Sequence, residues 1–422
     1  MRLKDISITG YRSLYDVNLT PGDLTVLTGP NNSGKTNFVE ALDFLAETYR
    51  HGLEVAISRK GGLENIIHRR MRRTRRSLSF RVEVTMNREE FPYFSATESE
   101  KRQGPSEIHI THQFTIVPLS QRIDAEFRVL QESLSIKATE KSGPLFEFNR
   151  TEGGVEVTLD ESRLKRIKWI RELGYFETGM YRQIYDRVRP TDLLLSIKFN
   201  PIEAWYARAM GSMRLYQLVP LEGRRPGVPT PNAEVDTHGQ NLPALVSFLR
   251  KNDPAAWQQV IEAMQRIVPE LTDIKTDFTP DRLLALQFVE RGVRRPWSAE
   301  DISDGTIQAL GMYTAIFDPR ASLILIEEPE NSVHPWIIRN FIDACRAAGK
   351  RQIILTTHSP ALLEYLNPQE ITVVWKRHGR TFIVPLPKVD STVNSLWSEG
   401  SLSIFDMLDS GLIPQAVPGD EQ

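Results

Sequence analysis

Gly29-Pro-Asn-Asn-Ser-Gly-Lys-Thr36 follows the apolar run Leu24-Thr-Val-Leu27 and leads into a helical pattern from Lys35 to about Tyr49. Strand, glycine-rich loop and helix in that order build a phosphate cradle: loop amides and the helix N-terminus face an anion, and a lysine adds a mobile cation. The spacing assigns Gly29, Asn31, Asn32, Ser33, Gly34, Lys35, Thr36 and Asn37 to nucleotide binding. Lys35 reaches the β- and γ-phosphates of ATP and the Thr36 hydroxyl ligates Mg²⁺. A chance glycine turn before a lysine would not bring the flanking strand and helix with it.

Three segments far downstream add chemistry to that loop. Ser322-Leu-Ile-Leu-Ile-Glu-Glu-Pro-Glu330 reads as a buried parallel strand that delivers carboxylates at its C-terminal end. Glu327 is expected to support Mg²⁺, directly or through water, and Glu328 to polarise the attacking water as general base. Lys350-Arg-Gln-Ile-Ile-Leu-Thr-Thr-His-Ser-Pro360 is a second apolar strand; it ends in His358, placed to contact the γ-phosphate and the attacking water. Asp301-Ile-Ser-Asp-Gly-Thr-Ile-Gln308 sets Ser303, Asp304 and Gly305 at the start of a helical pattern. On its own that segment reads as an ordinary capped helix.

The order of these four motifs resembles the RecF/SMC-like branch of ABC ATPases. More narrowly it is similar to the standalone AAA ATPase relatives of the OLD-family ATPase domain, many of them in bacterial phage-defence operons. The resemblance covers about 1–85 and 280–390. It implies an α/β fold, an ABC-type P-loop ATPase head with an antiparallel β subdomain and a mainly helical insert. It makes Ser303, Asp304 and Gly305 the ABC signature, Glu327 and Glu328 the Walker B pair, Glu330-Asn331 through His334-Pro335 the D-loop, and His358 the switch histidine. In the family the signature closes on the γ-phosphate held by a second subunit, so the resemblance implies a homodimer that sandwiches two ATP molecules. Two departures stand out. Glu327 occupies a position where many relatives carry Asp, its extra methylene favouring a water-mediated Mg²⁺ contact and slow turnover, and no glutamine is assigned to the Q-loop.

The implied role is a regulatory, scaffold or sensor subunit of an anti-phage defence complex that controls a separate effector, a nuclease or toxin. A RecF-like DNA-repair ATPase with DNA-stimulated hydrolysis is the alternative. The Ser-Asp-Gly-Thr signature and the lack of permease segments disfavour an ABC transporter motor. About 35 residues after the last predicted hairpin leave no room for the Toprim nuclease domain that OLD proteins carry.

The rest of the chain supplies the frame. From Ser77 to about Leu159 short alternating segments with turns at Gly104-Pro105, Gly143-Pro144 and Gly153-Gly154 predict an antiparallel sheet. Residues 161–275 read as mostly helical, interrupted by the Pro/Gly-rich Glu222–Pro231 stretch, taken as an exposed loop, and without heptads for a coiled coil. A hairpin over 371–375 and 381–385 is expected near the end. The expected organisation is 1–160 for the N-terminal part of the head, 161–279 for a helical insert or lid, 280–390 for the C-terminal part of the head, and 391–422 for a tail.

Composition narrows the partners. The 422 residues are 40% hydrophobic and 25% charged, with 52 basic against 54 acidic side chains and a net charge of −2. No overall field draws the chain to a polyanion, so any nucleic-acid contact is local. The candidate is His68-Arg-Arg-Met-Arg-Arg-Thr-Arg-Arg76, with six arginines in nine positions, Arg69, Arg70, Arg72, Arg73, Arg75 and Arg76; the competing reading is a solvated loop. Cys345 is the only cysteine, which excludes an intrachain disulfide, and no run approaches the roughly 20 apolar residues of a membrane span. A cytoplasmic location is expected. His109 and His112 fall on opposite faces of a strand and make poor joint metal ligands, and Trp297 and Trp336 are expected to pack.

Overall fold

A computed structural model describes residues 1–68, 76–90, 106–120, 126–166, 178–349, 351–400, 402–410 and 412–413. The chain forms two compact units: Met1–Pro21, Asn37–Met213 and Lys376–Ile383 in the first, Gly22–Thr36, Arg214–Trp375 and Val384–Gln422 in the second.

The first unit is organised by a seven-stranded antiparallel sheet in the order Val17–Leu19, Arg2–Thr9, Leu78–Asn87, Glu107–Pro118, Phe127–Lys137, Pro144–Thr151, Gly154–Leu159. Alternation decides which face is buried. Ile6 pairs with Val82, Val82 with His112, His112 with Leu134 and Leu134 with Phe148, and every member of that row is buried. The strict two-residue period that predicted the sheet from Ser77 to Leu159 is this row repeated. His112 lies on the inner face with no exposure while His109 is partly exposed on the other, as the spacing required.

The second unit carries a parallel sheet in the order Ile371–Arg377, of which the residues to Trp375 belong to this unit, then Leu24–Thr28, Gln352–Thr357, Leu323–Glu327 and Arg214–Tyr216. Its central strands are buried along their whole length, which explains their uninterrupted apolar runs. The hydrophobic core is continuous from Leu24 and Val26 through Ile324, Ile326 and Leu355 to the helices Leu242–Asn252, Pro254–Ile267, Asp304–Phe317 and Pro335–Ala347. A small antiparallel sheet, Leu271–Phe278, Leu284–Glu290 and Trp297–Ser298, belongs to the same unit.

The observed division differs from the expected one. Among the described residues, those to Met213 belong to the first unit and those from Arg214 to the second, rather than to one insert over 161–279. The break falls where Arg214, Leu215 and Tyr216 pair in parallel with Ile324, Leu325 and Ile326. A three-residue strand is too short to show a period, so it is invisible inside a helical stretch. The expected tail also packs in part: Val393, Ile404, Met407, Leu408 and Ile413 are buried in the second unit's core.

Candidate functional site

Register brings the chemistry to one edge. Thr28 lies beside Thr357, and Glu327 beside Thr356, so the phosphate-binding loop, the acid pair and His358 all leave the sheet at its carboxyl end. All belong to the second unit.

The loop is closely fitted. A Cβ on Gly29 would sit 1.9 Å from the Val374 carbonyl oxygen, so only glycine lets the loop start beside the neighbouring strand. Asn32 and Gly34 adopt positive φ (63° and 111°), the curl that turns loop amides inward. Asn31 and Asn32 are exposed, and Ser33 and Gly34 are buried. Lys35 is only 7% exposed, and its Nζ donates to the carbonyls of Gly29 (2.8 Å) and Pro30 (3.1 Å). Burial pulls its pKa below the ordinary lysine value, while Glu328, Glu330 and Glu327 oppose the shift. Its charge is thus balanced by the three acids of the next motif.

Glu327 is buried, which raises its carboxyl pKa, while a hydrogen bond from the Thr36 side chain favours the ionised form. Glu327 Oε1 is buried with no hydrogen-bond partner among the described residues. An orphaned carboxylate oxygen beside a threonine hydroxyl fits a hard divalent cation such as Mg²⁺.

Glu328 stands at φ 45°, in the left-handed region that side chains rarely enter. Both its oxygens are engaged: Oε1 lies 3.1 Å from His358 Nδ1 and Oε2 accepts from Asn331 Nδ2 at 3.0 Å. Its amide donates to the Thr356 carbonyl, which fixes the turn that aims the side chain. Glu330 braces the other side, its Oε1 accepting from Thr357 Oγ1 (2.6 Å) and the His358 amide (3.4 Å). Asn331 and Glu330 were expected only as members of a loop, and their direct hold on Glu328 and on the His358 segment is a contact across 3 and 28 residues.

The third motif is a capped helix, as its local reading required. Ser303 caps Asp304–Phe317, its Oγ accepting from the Thr306 amide. A Cβ on Gly305 would lie 3.1 Å from the Ser332 carbonyl, so this glycine admits the turn after Glu330. Asp304 is ion-paired with Arg224. Trp297 and Trp336, expected to pack, are 41% and 47% exposed.

Asn37 is not grouped with the others. It belongs to the first unit, where its Nδ2 donates to Ser13 Oγ at 2.7 Å and its Oδ1 accepts from Arg12. That unit has a cavity of about 620 Å³ lined by Arg12, Asn37, Lys60, His68 and Lys376 among others. Arg12 has φ 44° and pairs with Glu40, and Lys60 pairs with Asp43. Of the arginine run, Arg69, Arg70, Arg72, Arg73 and Arg75 lie outside the described residues. Arg76 is held by both oxygens of Glu64. Among the described residues no cluster of His, Cys, Asp and Glu could hold a metal by itself, and no helix is long and apolar enough to cross a membrane.

Residues 24–198 and 216–364 match the family model described as "AAA domain, putative AbiEii toxin, Type IV TA system". The "DNA replication and repair protein RecF" of Clavibacter michiganensis subsp. michiganensis is 25% identical over 179 residues, 40% of this chain and 43% of that protein. RecF of Corynebacterium jeikeium is 40% identical over 65 residues, 14% of this chain and 15% of that one. The chain thus matches less than half the length of either relative. Among solved structures, an SMC head bound to the C-terminal winged-helix domain of ScpA superposes with a TM-score of 0.50 at 13% identity, over 91% of this chain and 98% of that one. At that identity the likeness is one of fold, an ABC-type ATPase head.

Proposed function

The chain belongs to this AAA-domain family and is of the RecF/SMC-like ABC type, and we propose on that premise that it binds and hydrolyses ATP as a homodimer. The observation that carries the reading is Glu328, aimed by a strained turn and held by His358 and Asn331 on the same sheet edge as Lys35. A carboxylate held between His358 and Asn331 and kept near a buried lysine suits a general base for a water attacking the γ-phosphate.

Each residue then has a task. Lys35 leaves the carbonyls of Gly29 and Pro30 for the β- and γ-phosphates, a charge-assisted contact replacing two neutral ones. Thr36 and Glu327 would hold Mg²⁺, which would supply positive charge to neutralise the phosphate oxygens. Glu328 takes the proton of the water, and His358, half exposed at the edge, meets the γ-phosphate and reports its presence to the segment that Glu330 clamps. Ser303, Asp304 and Gly305 face the γ-phosphate bound by the partner subunit, and the exposed Trp297 and Trp336, in or beside these segments, are covered when the dimer closes.

At the level of the cell the proposal is a regulatory or scaffold subunit of an anti-phage complex, with ATP state gating a separate nuclease or toxin. The family description, with its toxin and toxin–antitoxin system, supports this reading. RecF relatives support a second one, a DNA-repair ATPase. The two separate in one assay. Phosphate release by the purified protein with Mg²⁺-ATP is measured with and without duplex and single-stranded DNA. Stimulation of tenfold or more by DNA alone favours repair, and indifference to DNA favours the effector-linked role. Absence of ATP binding under all these conditions refutes the shared premise.

A further inference from the structure

Arg224 lies in the Pro/Gly-rich stretch that reads as an exposed loop, yet its side chain is only 11% exposed. The short helix Pro220–Arg224 packs directly on Asp304–Phe317: a Cβ on Gly223 would meet Ile307 Cγ2 at 3.1 Å, and Leu218 covers Gly311. From that seat the guanidinium makes three contacts with the turn leading into the helix. Its Nε donates to the Ala299 carbonyl (3.1 Å), its Nη2 to the Ile302 carbonyl (2.6 Å), and its Nη1 lies 2.5 Å from Asp304 Oδ1.

Asp304 poses an electrostatic problem. It is the first residue of the helix and 64% exposed, so its carboxylate stands where the proposed function brings a partner's γ-phosphate. The amides of Asp304 and Gly305 have no hydrogen-bond partner among the described residues and are the groups an incoming anion would use. A free carboxylate there would compete for the same amides and repel the phosphate.

We propose that Arg224 is the positioning residue of this turn: it braces the backbone from Ala299 to Ile302 and neutralises Asp304, leaving the first amides of the helix to a phosphate from a second copy of the chain. The proposal rests on the dimeric ATPase reading and predicts an effect on dimer closure, separate from ATP capture by one subunit. Arg224 touches neither the phosphate loop nor the acid pair. A fork of donors serves two carbonyls and a carboxylate at once, which a lysine cannot do.

The test uses the full chain carrying Glu328→Gln to hold ATP in place. ATP affinity is read at subunit concentrations too low for association, and ATP-dependent dimerisation by sedimentation. Arg224→Met is expected to leave ATP affinity within about twofold and to weaken dimerisation roughly tenfold or more. Adding Asp304→Asn to Arg224→Met is expected to recover most of that loss, because the unbalanced charge is gone. Asp304→Asn alone is expected to tighten the dimer, since Arg224 then faces the phosphate uncompensated. Arg224→Lys, which keeps the charge and guards against a folding defect, is expected to fall between parent and Met. Parent-like dimerisation of Arg224→Met overturns the proposal, as does a double variant no better than Arg224→Met. A parent that binds ATP but never dimerises removes the reading beneath it, a result distinguishable because it precedes any substitution at 224.

Discussion

Replacing Glu328 by Gln separates chemistry from binding, and the structure sets the size of each effect. The carboxylate uses one oxygen for His358 Nδ1 and the other for Asn331 Nδ2. Glutamine keeps one acceptor and turns an NH₂ toward the other donor. If that donor is Asn331, rotation of its own amide presents Oδ1 and restores the bond, so the cost in stability stays below about 1 kcal/mol. Removing a negative charge from beside Lys35 and an incoming γ-phosphate leaves ATP affinity equal or tighter. Turnover is another matter, because an amide can orient a water but cannot take its proton. Losing a general base costs about 10²–10⁴ in rate, or roughly 3–5 kcal/mol of barrier. The expected outcome is at least a hundredfold fall in phosphate release at saturating ATP, unchanged or tighter ATP binding by calorimetry, and dimer accumulating with ATP on a sizing column. Turnover within threefold of the parent would refute the assignment and move the base to Glu327 or Glu330. A tenfold loss of ATP affinity would show instead that Glu328 shapes the binding site.

Lys35→Ala is expected to lower ATP affinity at least about tenfold, since a charge-assisted contact to phosphate is lost; calorimetry with equal affinity contradicts the loop assignment. Because burial holds the Lys35 pKa below its ordinary value, parent affinity should fall as pH rises through that lowered value, and a flat profile would show that its charge is not used. Glu203, buried with its pKa pushed up to about 7, binds a proton more readily folded than unfolded. Its contribution is complete below about 4.5, declines through the window to 7 and is lost above, a span worth about 3 kcal/mol. Melting at pH 5.5 and 8 should show lower stability at the higher pH, and Glu203→Gln should narrow that difference; an unchanged difference assigns it to other groups. For the arginine run, replacing Arg69, Arg70, Arg72, Arg73 and Arg75 by Ala, with Arg76 left in its pair with Glu64, is expected to weaken nucleic-acid binding uniformly across sequences. The log–log salt slope should drop by roughly 0.9 per lost contact, and a parent without salt-sensitive binding to DNA or RNA rules the patch out.

What the sequence made legible was local. The strand and helix around Gly29–Thr36 lie where their periods put them, as do Leu323–Glu327, Gln352–Thr357 and the hairpin turning at Arg377–Arg380, because each is decided by neighbours within a few residues. The alternating strands from Leu78 to Leu159 were equally plain. What escaped depends on distant partners. Arg214–Tyr216 is a strand only because Ile324–Ile326 lies beside it, and Arg224 is buried only because a turn 75 residues onward needs its donors. Gly and Pro near Arg224 signal a loop to any local reading; here Gly223 serves close packing against Ile307. Trp297 and Trp336 show the converse, since apolar character alone did not decide burial.

The strand Leu24–Thr28 has an awkward childhood. Both its neighbours, Gln352–Thr357 and Ile371–Arg377, are encoded more than 300 residues later. At elongation rates of about 5–20 residues per second, the ribosome needs roughly 16–65 s to pass from Thr28 to Gln352. The strands from Leu78 to Leu159 can pair meanwhile, because they follow one another as consecutive hairpins. The apolar run Leu24-Thr-Val-Leu27 must wait unpaired on the nascent chain, an open edge available to chaperones and to aggregation until the segments from Gln352 onward emerge.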